Sequence, residues 1–328
     1  MSITAQKGLY IVRRLVIGIP MVFAIVVINF FLLHLAPGDA AEVLAGEAGS
    51  ATPQYLAQLR AQFGLDQPLY VQLFKYLEHV LKLDFGYSAR YGMSVWDLIL
   101  SRLGPSLLLM GTAITLAITV GILLGLIAAM RPNSVRDNAI SILALLSYAT
   151  PLFWVGLMFI LVFSITLGWL PTSGMEDVAA FYTGWAHTVD VAKHLVLPAV
   201  TLSLFYLALY VRLMRSAVLE QTGMDYVTTA RAVGASDRRV MFKHILRNAC
   251  LPVVTMAGVQ IGNLIGGSVV VESVFGWPGL GLLAFQGLSA RDINLLLGIF
   301  FISACLVIAT NIIVDVIYSI LDPRIGAR

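Results

Sequence analysis

The residues whose types and spacing point to chemistry gather in one stretch, Arg212 to Arg247. Thr222 reads as the start of a short helix, with Met224, Val227, Ala230 and Val233 at roughly helical spacing along one side. Gly234 ends that helix, as a residue free to take positive φ commonly does. Ser236 is a good N-cap for a second helix, and Asp237 sits in its first turn, where the helix dipole favours an anion. Arg239, Lys243 and Arg247 follow at four-residue steps and make one basic stripe. An apolar rib with a basic flank does no covalent work. It is either a charged interfacial loop or a compact knob that docks into a groove on a soluble partner.

Catalytic chemistry finds no foothold elsewhere. The chain has no Gly-Lys dipeptide, so a P-loop is impossible and nucleotide hydrolysis of that kind belongs to another protein. HExxH and GxSxG are both missing, and His34, His79, His187, His194 and His244 share no helical face. Cys250 and Cys305 lie in or beside apolar runs without metal or redox spacing. The chain is expected to be no enzyme and to bind no cofactor or metal.

The elements that position the knob are set by composition. The 328 residues are 59% hydrophobic and 12% charged, with a mean hydropathy of +0.88. These values exclude a soluble fold and a disordered chain, and a net charge of +3 without a separate basic domain excludes a nucleic-acid binder. Six apolar segments stand out: Leu15–Leu35, Pro105–Ala129, Ile140–Leu167, Leu195–Val211, Leu251–Val271 and Leu295–Val314. Lipid cannot hydrogen-bond a bare backbone, so each is expected to be a helix, giving an all-α integral membrane protein with six transmembrane helices. The first is longer than a signal-peptide core and lacks an A-x-A cleavage site, so it is read as a retained helix.

Basic residues give the orientation. With the N-terminus inside, the internal pieces hold Arg13, Arg14, Arg131, Arg136 and the Arg212–Arg247 cluster, while the two short external connections hold only Lys193 and Arg291. Both termini are therefore expected in the cytoplasm. The chain divides into 1–35, an external segment 36–104, and a five-helix core 105–328 that includes the loop 212–250. The external segment opens with a turn at Pro37-Gly38-Asp39, breaks again near Gly64–Pro68, and contains an amphipathic helix over Tyr70–Leu83. It is expected to be a cap or a docking surface.

No Asp, Glu, Lys or Arg lies near a span centre, which lowers the prospect of a proton-driven carrier. The polar residues in the spans are Asn29, Gln260, Asn263 and Asn311, with Asp315 one turn beyond Asn311. Gly258, Gly262 and Gly266, and likewise Gly121 and Gly125, repeat at four-residue intervals and form packing faces, either within the chain or across a dimer.

The run Asp225-Tyr226-Val227-Thr228-Thr229-Ala230-Arg231-Ala232-Val233-Gly234 closely resembles the coupling loop of bacterial ABC importer permeases of the dipeptide/oligopeptide and nickel branch. Relative to the broader E-A-A-x3-G pattern, Ala230 and Gly234 match, while Thr228 and Thr229 replace the Glu and the first Ala. The same branch is resembled by Arg13-Arg14-Leu15, by Leu83–Ser88, by Glu272–Gly281 and by Asp315–Arg324, in that order along the chain. The resemblance implies a type I ABC importer permease-like core in the bacterial inner membrane. It implies a second, similar permease, two ATPase subunits that carry ATP and Mg, and an external binding protein, all set in membrane lipid. Asp225, Tyr226, Thr229, Ala230, Arg231, Gly234, Arg239 and Lys243 then serve ATPase coupling. Gln260, Asn263, Glu272 and Trp277 are pathway or gate candidates, with Trp277 near the membrane interface. Di- or oligopeptides are the first choice of cargo; nickel complexes, glutathione and opine-like solutes are alternatives, and a self-sufficient secondary carrier is a more distant one.

Overall fold

The apolar runs do become helices, since a helix satisfies its own backbone and needs nothing from lipid. The computed structural model describes the backbone of residues 3–35, 41–42, 45, 52–88 and 90–321; the side chains of 3–17, 19, 62–63, 259, 261–267 and 313–321 lie outside the description. The Pro37-Gly38-Asp39 turn, the side chains of Asn263 and Asp315, and the end from Asp322 therefore lie outside the described residues.

The helices are α1 (Ile3–Leu35), α2 (Pro53–Phe63), α3 (Leu69–Leu81), α4 (Val95–Met130), α5 (Val135–Ala149), α6 (Leu152–Phe159), α7 (Gly184–Thr222), α8 (Asp225–Ala232), α9 (Leu246–Phe275), α10 (Leu280–Ser289) and α11 (Ile293–Leu321). Two stretches of π-helix extend them, Ile160–Thr166 after α6 and Val240–Ile245 before α9. Among the described residues, three helices are long and apolar enough to cross a bilayer, or five if each bent pair is one span; Pro20–Leu35 is a shorter apolar helix.

Several boundaries differ from the sequence reading. The segment Ile140–Leu167 is not one helix: α5 and the α6 stretch meet at a bend of 103°. Pro151 is the cause, since the residue before a proline is driven out of helical geometry, and Thr150 is extended at ψ 133°. The helix through Pro105 begins at Val95 and keeps Pro105 inside it. The Tyr70–Leu83 helix is found as Leu69–Leu81, and Leu83 turns out of it with φ 54°. Helix α2 was unforeseen, although Thr52 caps it by accepting the Tyr55 N–H, Pro53 opens it, and Gly64 closes it with φ 68°.

The chain forms two units, one of residues 1–106 with 278–312 and the other of 107–277 with 313–328. In the first, Phe85, Val95, Ile99, Leu283, Leu295 and Ile299 make the apolar centre. Phe30 of α1 is buried and stacks on Tyr76 of α3, whose hydroxyl donates to the Leu297 carbonyl at 3.3 Å. Asp292 caps α11 by accepting the Leu295 N–H, and its other oxygen accepts the Ser88 hydroxyl and the Arg90 N–H.

In the second unit, α7 is the central helix, with Leu202, Tyr206, Tyr210 and Met214 buried along it. Gly121 and Gly125 of α4 let it approach closely. A Cβ on Gly121 would lie 2.5 Å from Tyr210 Cβ, and one on Gly125 would lie 2.7 Å from both Met214 Cβ and the Val211 carbonyl oxygen. This pair of glycines therefore packs within the chain. Gly258 is buried; the surroundings of Gly262 and Gly266 lie outside the described residues.

Candidate functional site

Helix α7 does not stop at a long loop. It runs to Thr222 and passes through Gly223 and Met224 directly into α8, so Thr222 ends a long helix and does not begin a short one. Met224 takes the N-cap position in extended geometry, and Asp225 occupies the first turn. Val227 is wholly buried, in one cluster with Val240, Ile245 and Ala249. The Tyr226 hydroxyl donates to Gln221 Oε1 at 2.8 Å and ties α8 back to the end of α7. Tyr226→Phe removes one partly buried hydrogen bond, so a loss of about 1 kcal/mol in stability with small change in assembly is expected from chemical unfolding of the purified protein.

Gly234 reverses the chain at φ 87°. Its own N–H donates to the Arg231 carbonyl at 2.9 Å and the Ala235 N–H to the Ala230 carbonyl at 3.1 Å, which satisfies the last turn of α8. Ser236 follows in extended geometry at an N-cap position, with its carbonyl accepting the Val240 N–H at 2.9 Å. The second helix is not a separate short element: the turn Asp237–Arg239 and the π-helix Val240–Ile245 lead straight into α9.

Between these arms lies an open groove of about 610 Å³, lined by Tyr226, Thr229, Ala230, Val233, Gly234, Ala235, Arg239, Lys243 and His244. The structure thus brings Tyr226, Thr229, Ala230, Gly234, Arg239 and Lys243 into one concavity. Asp225 and Arg231 are exposed beside it, and Arg231 Nε lies 3.7 Å from the Asp237 carboxylate. Arg247 does not line the groove, because the i→i+5 bonding of the π-helix breaks the four-residue register of the stripe. The apolar rib also differs from its expectation: Val227 is buried, whereas Val233 lies past the helix end and is 83% exposed at the tip. Ala235 and His244 are groove residues that no periodicity marked, since they face it only after the chain has reversed.

The gate candidates lie elsewhere in the same unit. Glu272 belongs to α9 and not to a loop after it; its side chain is wholly buried and its carbonyl accepts the Trp277 N–H at 2.9 Å. Trp277 is also wholly buried, in the cluster that holds Val271 and Phe275. Gly276 makes the turn at φ 58°, and the Gly174 N–H donates to the Phe275 carbonyl at 2.9 Å. Gln260 is half-buried. Replacing Trp277 by Ala opens a large cavity and is expected to cost about 3–5 kcal/mol, read as a lowered midpoint of thermal unfolding in detergent.

Known proteins share both the sequence and the fold. The family described as binding-protein-dependent transport system inner membrane component matches residues 121–327, and the N-terminal family of the same membrane components matches residues 9–110. The oligopeptide transport system permease protein AppB of Bacillus subtilis is 40% identical over 317 residues, covering 96% of this chain and 98% of that protein. The di/tripeptide transport system permease protein DppB of Pseudomonas aeruginosa is 38% identical over 330 residues, and the dipeptide transport system permease protein DppB of Escherichia coli K12 is 37% identical over 333, each with the same coverage. A chain of the inward-facing MetNI methionine ABC transporter superposes with a TM-score of 0.55 at 17% identity, covering 69% of this chain and 96% of that one. With a helical core of the type I ABC importer permease fold and a capped two-armed knob inside the matched region, this chain belongs to the inner membrane components of binding-protein-dependent transport systems.

Proposed function

We propose that the chain is the permease subunit of an ATP-driven importer that takes up di- or oligopeptides delivered by an external binding protein. The observation that carries this reading is the α8 knob, an exposed groove with an apolar tip and basic wall held at the end of the long α7 helix. Such a feature has the shape of a handle. The names of the AppB and DppB relatives support peptides as the cargo.

In this mechanism a second, similar permease completes the pathway, and two ATPase subunits bind the knobs from the cytoplasm, where both termini of this chain also lie. ATP and Mg are bound on those subunits, and the chain catalyses no bond change. Closure and release of the ATPases move the knobs and rock the helices between outward and inward openings. Gln260 lines the path, and Glu272 with Trp277 supports its closed end.

The test uses proteoliposomes that hold the assembled transporter, the binding protein outside and ATP on the ATPase side. Labelled dipeptide accumulates only when all components are present. ATP-independent flux through the isolated chain overturns the proposal in favour of a self-sufficient carrier, and uptake of nickel complexes or glutathione without peptide overturns the assignment of cargo.

A further inference from the structure

The end of α7 that carries the knob is fastened to α5 by a partly buried ion pair that no local pattern in the sequence reveals. Arg215 Nε donates to Asp137 Oδ1 at 2.6 Å and its Nη2 to Oδ2 at 2.7 Å, a two-pronged fit of guanidinium on carboxylate. The Asp137 side chain is 2% exposed and that of Arg215 29%. The same carboxylate accepts the Asn133 N–H at 2.9 Å, and the Asp137 N–H donates to Ser134 Oγ, which caps α5. Asp137 therefore holds three things at once: the α4–α5 turn, the start of α5, and α7 one residue past Met214.

Met214 lies opposite Gly125, one of the two α4 glycines that let α7 approach. The glycines set how near α4 and α7 lie, and the planar fork at Arg215 sets how α5 and α7 are rotated. A buried ion pair adds little net stability over a well-packed apolar pair of similar volume, but it admits one geometry where apolar side chains admit several. From Arg215, α7 continues without a break to Thr222, and only Gly223 and Met224 separate it from α8.

We propose that Asp137 and Arg215 are positioning residues that make the knob, the end of α7, α5 and the α4–α5 turn move as one body, so that displacement of the knob reaches the membrane helices undiminished. The inference rests on the transport reading above and deepens it, by naming the contact through which the knob's motion is passed on. Without the fork, the knob yields on its own and ATP is spent with less cargo moved.

The experiment works on the full transporter, with Cys250 and Cys305 replaced by Ala and spin labels placed at Asn138→Cys and Thr228→Cys, both exposed positions. In this background the label distance stays the same in the nucleotide-free and ATP-trapped states. The neutral pair Asp137→Asn with Arg215→Gln leaves no unpaired buried charge. It is expected to assemble and to hydrolyse ATP at near the starting rate, while the label distance now varies with nucleotide and peptide moved per ATP falls about tenfold. Arg215→Lys keeps the charge without the fork and falls between the two. The proposal is overturned if the distance changes with nucleotide while the ion pair is intact. It is also overturned if the neutral pair moves as much peptide per ATP as the parent, or loses transport only in proportion to lost assembly. Absence of ATP-driven uptake in the unmodified transporter counts against the transport reading instead; the label distances in parent and neutral pair judge the ion pair on their own.

Discussion

Replacing Gly234 by Val should lower peptide uptake by about tenfold or more while the protein still inserts and accumulates, because the damage is confined to the knob. No heavy atom lies within 4 Å of a Cβ built on Gly234, so the substitution meets no steric obstacle. The obstacle is the backbone. At φ 87° a β-branched residue is far outside its allowed region, and left-handed geometry costs an L-residue roughly 1–2 kcal/mol even where it is tolerated. The chain relieves that strain by opening the turn, which breaks the bonds from Gly234 and Ala235 to the end of α8 and pulls apart the two walls of the groove. Gly234→Asn is the control. Asn enters left-handed geometry far more readily, so uptake should stay within a few-fold of the parent. Uptake in both variants, beside the amount of protein in the membrane, checks the prediction, and normal uptake by the Val variant contradicts it.

Gly125→Ala should destabilise the protein, and Gly111→Ala in the same helix should be harmless. A methyl at Gly125 would lie 2.7 Å from a carbonyl oxygen and 3.1 Å from the Arg215 N, both backbone atoms of α7 that cannot step aside. The two helices must separate, at a cost of about 1–3 kcal/mol for overpacking. A methyl at Gly111 meets nothing within 4 Å, so its higher helix propensity should leave the protein equal or slightly more stable. Thermal unfolding of the two variants in the same detergent gives the comparison. Equal midpoints would remove the close α4–α7 contact from the account.

The contrast between these two glycines also explains what the sequence disclosed and what it withheld. Four-residue repeats marked Gly121 and Gly125 as a packing face, but the identity of the partner needed α7 in place, since nothing local links residue 125 to residue 214. The break at Pro151 was visible in principle, because the residue before a proline leaves helical geometry, yet the unbroken hydropathy of Ile140–Leu167 concealed it. Gly234 was read correctly as chain punctuation, because its role depends on a few neighbouring bonds, whereas Ser236 holds the N-cap position without a cap hydrogen bond from its side chain. Arg247 was misplaced because a π-helix changes the register, and Thr222 because its hydroxyl bonds inside a helix, to the Val218 carbonyl, as well as it caps one. Asp137 and Arg215 were passed over for a different reason. Each reads as an ordinary charge near a helix end, and only the fold joins residues 78 positions apart.

The most direct measurement is photo-crosslinking from the exposed tip. A photoreactive residue at Val233, in cells that make the whole transporter, should capture an ATP-binding subunit, with a yield that changes between nucleotide-free and ATP-trapped states. Capture of the external binding protein alone, or labelling of that position by a reagent that cannot cross the membrane, would place the knob on the other side and contradict its role as the handle of a cytoplasmic motor.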